Sequence, residues 1–220
     1  MMAEPTRISE EHRDAENFVQ VDLEHPDHRA IERAAGFLAE GHAAIFPTDT
    51  VYGIGVAVRD TTDPGLLFDI KQRDRSKAIP WLVPGADDIE RYGRNVRGYC
   101  LDFARELWPG PLTLVVEAGD AVPEAFRGSG STIALRVPDS PVALALMREL
   151  QSPLATTSAN MSGIDAVGDS GELDPRIYEL VPVVLAGGAI EGGVPSTVVV
   201  CTGERPEVVR EGAIGARRFV

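Results

Sequence analysis

At 220 residues, with 44% hydrophobic and 25% charged side chains, the chain has the composition of an ordinary globular domain with ample material for a core. Its net charge of −13 excludes the broad basic footprint that non-specific nucleic-acid binding requires, so a bound anion belongs in a local pocket. No apolar run approaches the ~20 residues needed to span a bilayer, and neither Cys100 and Cys201 nor the four histidines form a zinc-like or triad-like pattern.

Residues 1–20 are polar and acidic and predict a flexible N-terminal segment, leaving 21–220 as a single domain. The absence of a signal-type apolar stretch predicts a cytoplasmic protein with reduced thiols and no membrane association. Ala30, Ile31, Ala34, Ala35 and Leu38 recur at helical spacing over 27–40, with Gly41 as the C-cap. The uninterrupted apolar run 43–46 has the pattern of a strand buried on both faces, and Pro47, lacking a ladder donor, ends it. Gly53 and Gly55 let the backbone turn away or pass close to another group, and 56–58 predicts a second strand. Asp63 reads as an N-cap before Pro64, opening a helix with Leu66, Leu67 and Ile70 inward that runs into Lys71.

Residues 78–83 are strand-like, with Pro80 marking an edge or an irregular start. Helices are predicted over 86–92 and 96–107, the second ended by Trp108-Pro109-Gly110-Pro111. Strands follow at 112–116 and 133–137, separated by the small-residue turn 128–132. Pro138-Asp139-Ser140-Pro141 caps a helix over 142–150. A buried strand at 153–156 opens into a loop at 157–163, a short helix covers 174–180, and strands occupy 183–185, 197–200 and 207–209. Strands and helices interleave, yet several strands follow one another directly, which predicts an α/β fold with a twisted mixed parallel/antiparallel sheet and flanking helices.

Two stretches carry the chemistry. Thr48-Asp49-Thr50 places two hydroxyls and a carboxylate at a strand end, where open α/β sheets bind ligands; Asp49 is open to orienting a substrate, binding Mg²⁺ or closing its own turn. Lys71, Arg73, Arg75 and Lys77 set four cations at alternate positions, on one side if extended and in two i,i+4 pairs if helical. That density suits a polyanion; the alternative is a solvated edge that blocks strand pairing. Neither a Walker A loop nor a full GxGxxG is present, so phosphate binding would fall to side-chain cations and short polar loops. Such loops are 128–132, 156–163 and 195–197, and Arg210-Glu211-Gly212 ends the last strand. Arg136, inside an apolar strand, needs a partner or a ligand.

The motifs Pro47-Thr-Asp-Thr-Val-Tyr-Gly, Lys71-x-Arg73 with Lys77, Trp108-Pro-Gly-Pro-Leu-Thr, Ala134-Leu-Arg136-Val-Pro, Thr157-Ser-Ala-Asn160-x-Ser-Gly163, Ser196-Thr-Val and Arg210-x-Gly resemble, in order and over about residues 28–215, the YrdC/TsaC family in its short single-domain form. The resemblance implies a YrdC-like catalytic domain over 21–220 with a cationic concave cavity, acting as an L-threonylcarbamoyladenylate synthase. Such a nucleotidyltransferase converts L-threonine, bicarbonate and ATP, with Mg²⁺ held on the ATP phosphates, to the adenylate and pyrophosphate for modification of adenosine 37 in tRNA. By the same resemblance Lys71, Arg73 and Lys77 are catalytic and phosphate-binding. Thr50, Arg136, and Ser196 or Thr197 meet threonine; Thr132, Thr156, Ser158, Asn160 and Arg210 meet the nucleotide. Implied partners are tRNA or tRNA-modifying proteins downstream, and the expected state is a monomer or homodimer. The chain departs from the family pattern at Asp74, where proline is usual, at Ala78-Ile79, where Pro-Leu is usual, and at Leu82, where some members carry a polar threonine contact; Arg75 then reads as an added phosphate contact. Two other readings stand beside this one: an RNA-binding protein without turnover, and a paralogue running another carbamoyl- or acyl-adenylate reaction in the same cavity.

Overall fold

The computed structural model describes residues 16–59, 61, 63–72 and 78–219. Among them eleven strands form one sheet: β1 Phe18–Gln20, β2 Ala44–Phe46, β3 Gly53–Ala57, β4 Trp81–Leu82, β5 Gly93–Arg94, β6 Leu112–Ala118, β7 Thr132–Arg136, β8 Leu154–Ser158, β9 Val184–Ala186, β10 Thr197–Val200 and β11 Glu207–Arg210. Their spatial order is β1-β9-β2-β3-β8-β4-β7-β6-β10-β11, with β5 paired to β6. Parallel pairs (β1·β9, β2·β9, β4·β7, β6·β10) and antiparallel ones (β2·β3, β3·β8, β4·β8, β6·β7, β10·β11, β5·β6) make up the mixed sheet expected. The helices are α1 His28–Ala39, α2 Gly65–Lys71, α3 Asp88–Tyr92, α4 Gly98–Leu107, α5 Pro141–Leu150 and α6 Pro175–Tyr178.

Side chains alternate across a strand, so each strand contributes one set of positions to each face. On one face Ile54, Trp81, Leu114, Leu135, Ala155 and Val199 build the main core with Leu67, Ile70, Ile89, Cys100, Ala104 and Ile177 of α2, α3, α4 and α6. On the other, α1 and α5 lay Ala30, Ile31, Ala34, Leu38, Val142, Leu146 and Leu150 against Ala44, Phe46, Ala57, Leu154 and Leu185. That second core takes no residue from β6, β7, β10 or β11. The helix pair therefore covers half of its face, and the remaining half is left for the site.

Local chemistry sets the boundaries. Asp27 caps α1, accepting the Arg29 N–H at 2.9 Å and the Ala30 N–H at 3.3 Å; Ser140 caps α5 through the Ala143 N–H at 3.2 Å. Cys100 and Cys201 lie buried as free thiols joined by a hydrogen bond, which with burial pushes the Cys100 thiol well above its usual range. No helix among the described residues is long and apolar enough to cross a membrane.

Two expectations are overturned and two are narrowed to one of their alternatives. Residues 18–20, expected to be flexible, form β1, because Asn17 Nδ2 ties the segment to the Tyr178 and Val181 carbonyls at 2.7 and 3.0 Å and the strand pairs with β9. Gly53 and Gly55 lie in β3, so of the two expectations for them, a turn or a close approach, the close approach, to Thr156, is the one found. Of the two expectations for Pro80, the edge is overturned and the irregular start stands: it directly precedes β4, which lies between β8 and β7, and its carbonyl accepts the Thr156 N–H at 2.8 Å. The expected cap at Asp63 is displaced by one residue, since Pro64 holds the N-cap position of α2; Leu66 is then 39% exposed, and Leu67, Phe68 and Ile70 face inward.

Replacing Leu38, fully enclosed between α1 and the sheet, by Ala is expected to cost ~2–5 kcal/mol. Urea unfolding followed by circular dichroism would show this as a lower midpoint with an unchanged slope.

Candidate active site

A cavity of about 300 Å³ opens on the half-face that α1 and α5 leave bare. Its walls are the same-facing positions of successive strands: Pro80 and Leu82, Thr113 and Val115, Ala134 and Arg136, Thr156 and Ser158, Ser196 and Val198, and Arg210, with Thr48, Thr50 and Val51 closing one end.

That end forms where Pro47 stops β2. The Pro47 carbonyl accepts the Ser140 hydroxyl at 3.1 Å. Thr48 Oγ1 accepts the Thr50 and Val51 N–H groups at 3.2 and 3.3 Å and donates to the Val51 carbonyl at 2.7 Å. Its 3.0 Å contact with Thr50 Oγ1 then takes its proton from Thr50. Arg136 meets this turn from β7. Its Nη1 donates to Thr50 Oγ1 at 2.9 Å, its Nε to the Gly110 carbonyl at 3.0 Å, and its Nη2 to Asp49 Oδ1. The Arg136 and Asp49 side chains are 7% and 12% exposed, and Asp49 Oδ2 has no hydrogen-bond partner among the described residues.

A second wall is held by Arg210. Its Nε and Nη2 donate to the Ser196 carbonyl at 3.1 and 2.8 Å, and Nη2 also reaches Ser196 Oγ at 3.0 Å. Ser196 Oγ lies 2.8 Å from Thr113 Oγ1. Gly212 packs directly behind this residue: a Cβ there would lie 2.1 Å from the Pro195 carbonyl oxygen and 2.6 Å from that of Ser196. The third wall is β8 and the turn after it. Thr156 leans over Gly53 and Gly55, where an added Cβ would come within 2.8 and 2.7 Å of its side chain. Asn160 ties the following turn through Nδ2 to the Met161 and Ile164 carbonyls at 3.1 and 2.5 Å.

Of the residues singled out in the sequence, Thr50, Arg136, Thr156, Ser158, Ser196 and Arg210 come together around this cavity. Thr197 lies on the opposite side of β10, fully buried, its hydroxyl donating to the Ile214 carbonyl at 2.6 Å and accepting the Gly212 and Ile214 N–H groups at 3.0 Å. Thr132 sits at the far end of β7 from Arg136, with its hydroxyl on the Ser129 carbonyl at 3.0 Å. Asn160, in the turn after β8, and Lys71, at the end of α2, are buried and do not line the cavity. Arg73, Asp74, Arg75 and Lys77 lie outside the described residues. Two contributors were given no role by the sequence reading. Thr113 is a lone hydroxyl in the apolar run of β6, and it faces the cavity together with Val115, two residues on. Tyr52 reaches under the site, its hydroxyl donating to the Gly188 carbonyl at 2.8 Å and accepting the Gly187 N–H at 3.0 Å; burial raises its pKa.

Fold and site together define an α/β protein with a hydroxyl- and arginine-lined cavity on the uncovered half of one sheet face. A family model described as telomere recombination, Sua5/YciO/YrdC, matches residues 36–212, and the chain belongs to that family. It is 32% identical over 184 residues to the threonylcarbamoyl-AMP synthase of Pyrococcus abyssi and 33% over 189 residues to that of Bacillus subtilis. In each case 84% of this chain is covered but only 54% of the relative, so the chain spans about half the length of these curated relatives. Among solved structures it resembles P. abyssi Sua5 complexed with L-threonine (TM-score 0.86, 30% identity, 91% of this chain and 59% of that one). Escherichia coli YciO matches at TM-score 0.85 and 26% identity, over 92% of this chain and 98% of that one.

Arg136→Met should leave the Asp49 carboxylate buried and unpaired, at a cost of ~3–5 kcal/mol in unfolding free energy. Adding Asp49→Asn to that variant should recover much of the loss, which a double-mutant cycle by chemical denaturation measures.

Proposed function

We propose that this chain forms threonylcarbamoyl-adenylate and pyrophosphate from L-threonine, bicarbonate and ATP, the product serving as donor for modification of adenosine 37 in tRNA. The observation that supports this most is that six of the residues implied by the family resemblance meet in one cavity of a chain 30% identical in sequence to a threonine-complexed Sua5. In this reading Arg136 and Thr50 receive the amino-acid carboxylate end, and Ser196, braced by Arg210, receives the rest of threonine. Thr156, Ser158 and the Asn160 turn hold the nucleotide, with Arg73, Lys77 and Arg210 supplying charge toward the phosphates.

The chemistry is positioning and charge neutralisation. The threonine amine and bicarbonate give a carbamate with loss of water. A carbamate oxygen then forms a bond to the α-phosphorus while the bond to the β-phosphate oxygen breaks, and both electrons of that bond leave with pyrophosphate. Arginines facing the reacting phosphate stabilise the charge that builds up there. Mg²⁺ belongs to this scheme as a partner of the ATP phosphates, where it neutralises their charge.

The likeness to YciO, which runs nearly the full length of both chains, favours one alternative: a paralogue running another carbamoyl- or acyl-adenylate reaction in the same cavity. Leu82, an apolar side chain in the wall at a departure from the family pattern, points the same way.

Purified protein incubated with α-labelled ATP, bicarbonate and single amino acids separates the readings. Pyrophosphate release that depends on threonine and yields threonylcarbamoyl-adenylate is expected; release indifferent to threonine would remove the substrate assignment. Arg73→Ala should lower kcat/KM by roughly 10²–10³-fold, the scale of one lost transition-state contact.

A further inference from the structure

Lys71 ends α2 and is 2% exposed, the most enclosed cation among the described residues. Its Nζ donates to the Ser158 carbonyl and, at 2.7 Å, to the Asn160 carbonyl, with Asn160 Oδ1 at 3.5 Å. Its own backbone carbonyl accepts the Ser162 N–H at 3.4 Å. One residue thus grips the 158–162 turn through both its side chain and its main chain.

Peptide planarity transmits that grip. The Ser158 carbonyl faces the ammonium, so the Ala159 N–H points the other way, and it donates to the Tyr52 carbonyl at 2.8 Å. The Asn160 carbonyl faces the same ammonium, so the Met161 N–H is directed away from it. Among the described residues neither the Asn160 nor the Met161 N–H has an acceptor. The ammonium therefore fixes one unused main-chain donor, the Met161 N–H, in the turn that follows Ser158, which lines the cavity.

The residue type supports this. The chain has two lysines, Lys71 and Lys77, against nineteen arginines. An ammonium is a compact centre whose donors spread in three directions, as oxygens converging on one point require; a planar guanidinium presents a flat fork. We infer that Lys71 is a positioning residue: it holds the 158–162 turn in the shape that receives the nucleotide and does not itself contact phosphate. The inference rests on the proposed function for the identity of the ligand, while the grip on the turn stands independently of it.

The test uses Lys71→Met and Lys71→Arg, with adenosine and ATP binding measured by calorimetry and amide exchange of residues 158–162 by mass spectrometry. Lys71→Met should weaken adenosine and ATP by the same factor, roughly tenfold or more, and speed exchange of the turn. A loss confined to ATP would make Lys71 a phosphate ligand and overturn the inference. Lys71→Arg keeps the charge, and arginine serves phosphate well; it should nevertheless fail in the same way, so near-normal ATP affinity in it would also overturn the inference. If Lys71→Met does not fold, Lys71→Arg carries all three measurements. If the unsubstituted protein binds neither adenosine nor ATP, the proposed function fails. Exchange at 158–162 then decides the grip alone, with faster exchange in the variants supporting it and unchanged exchange refuting it.

Discussion

A guanidinium inside an apolar strand is the constraint on which the site turns. Arg136 lies between the core residue Leu135 and the strand end, where a bare charge would cost several kcal/mol in desolvation. The chain meets that demand with three groups from two separate places: Asp49 and Thr50 from the turn after β2, and the Gly110 carbonyl from the segment before β6. These sites are 86 and 26 residues away in sequence from Arg136. One side chain therefore fixes the distance between two strand ends and the direction in which the Thr48–Thr50 hydroxyls point. The interaction is worth little as net stability, since an apolar replacement of the pair often does as well. Its consequence is geometric: the turn cannot relax without stranding a charge.

The second determinant is how much of a sheet face the helices cover. The alternation of side chains gives β6, β7 and β10 one apolar side and one side of hydroxyls, small residues and arginine. The apolar side meets α2, α3, α4 and α6. The other would meet α1 and α5 if those helices reached that far, but their core ends at β8 and Leu82. The uncovered half then has to be lined by groups that tolerate water, and Thr113, Thr156, Ser158, Ser196, Arg136 and Arg210 are of that kind. The cavity and the two-sided fold are thus one fact about packing seen twice.

Much of this was legible in the sequence, and the parts that were not share a cause. Long periodic elements stood out: every buried residue of α1 was visible in the spacing of its apolar side chains. Ser196 and Thr197 could not be told apart, because a shift of one residue at the start of β10 exchanges its two faces, and sequence leaves strand starts uncertain by about that much. Thr132 and Arg136 share a face of β7, but at ~3.3 Å per residue they lie ~13 Å apart, and Arg136 alone of the two lines the cavity. β1 was hidden because three residues show no periodicity, and its place depends on Asn17 binding carbonyls 161 and 164 positions away. The glycines of β3 left a turn and a close approach equally open because their reason is not local: they make room for Thr156 on the neighbouring strand.

The groups facing the cavity are seldom held by the ligand they await. Ser196 is gripped from behind by Arg210 and pressed by Gly212; Thr50 is fixed by Arg136 and Thr48; the 158–162 turn hangs on Lys71 and Tyr52. In each case the supporting contact is a cation or main-chain group satisfied within the protein. That arrangement suits the proposed reaction, in which two anionic substrates would be brought together. Loose side chains would lose rotamer freedom on binding, and unpaired cations would collapse onto whichever anion arrived first. With the donors already oriented, little of the binding energy is spent on ordering them, and most of it is left to hold the two substrates within reach of each other. The many arginines and few lysines follow the same division. Arginine serves where a flat fork meets a carboxylate or spans a carbonyl and a hydroxyl, and lysine serves at Lys71, where oxygens of one turn converge on a single point.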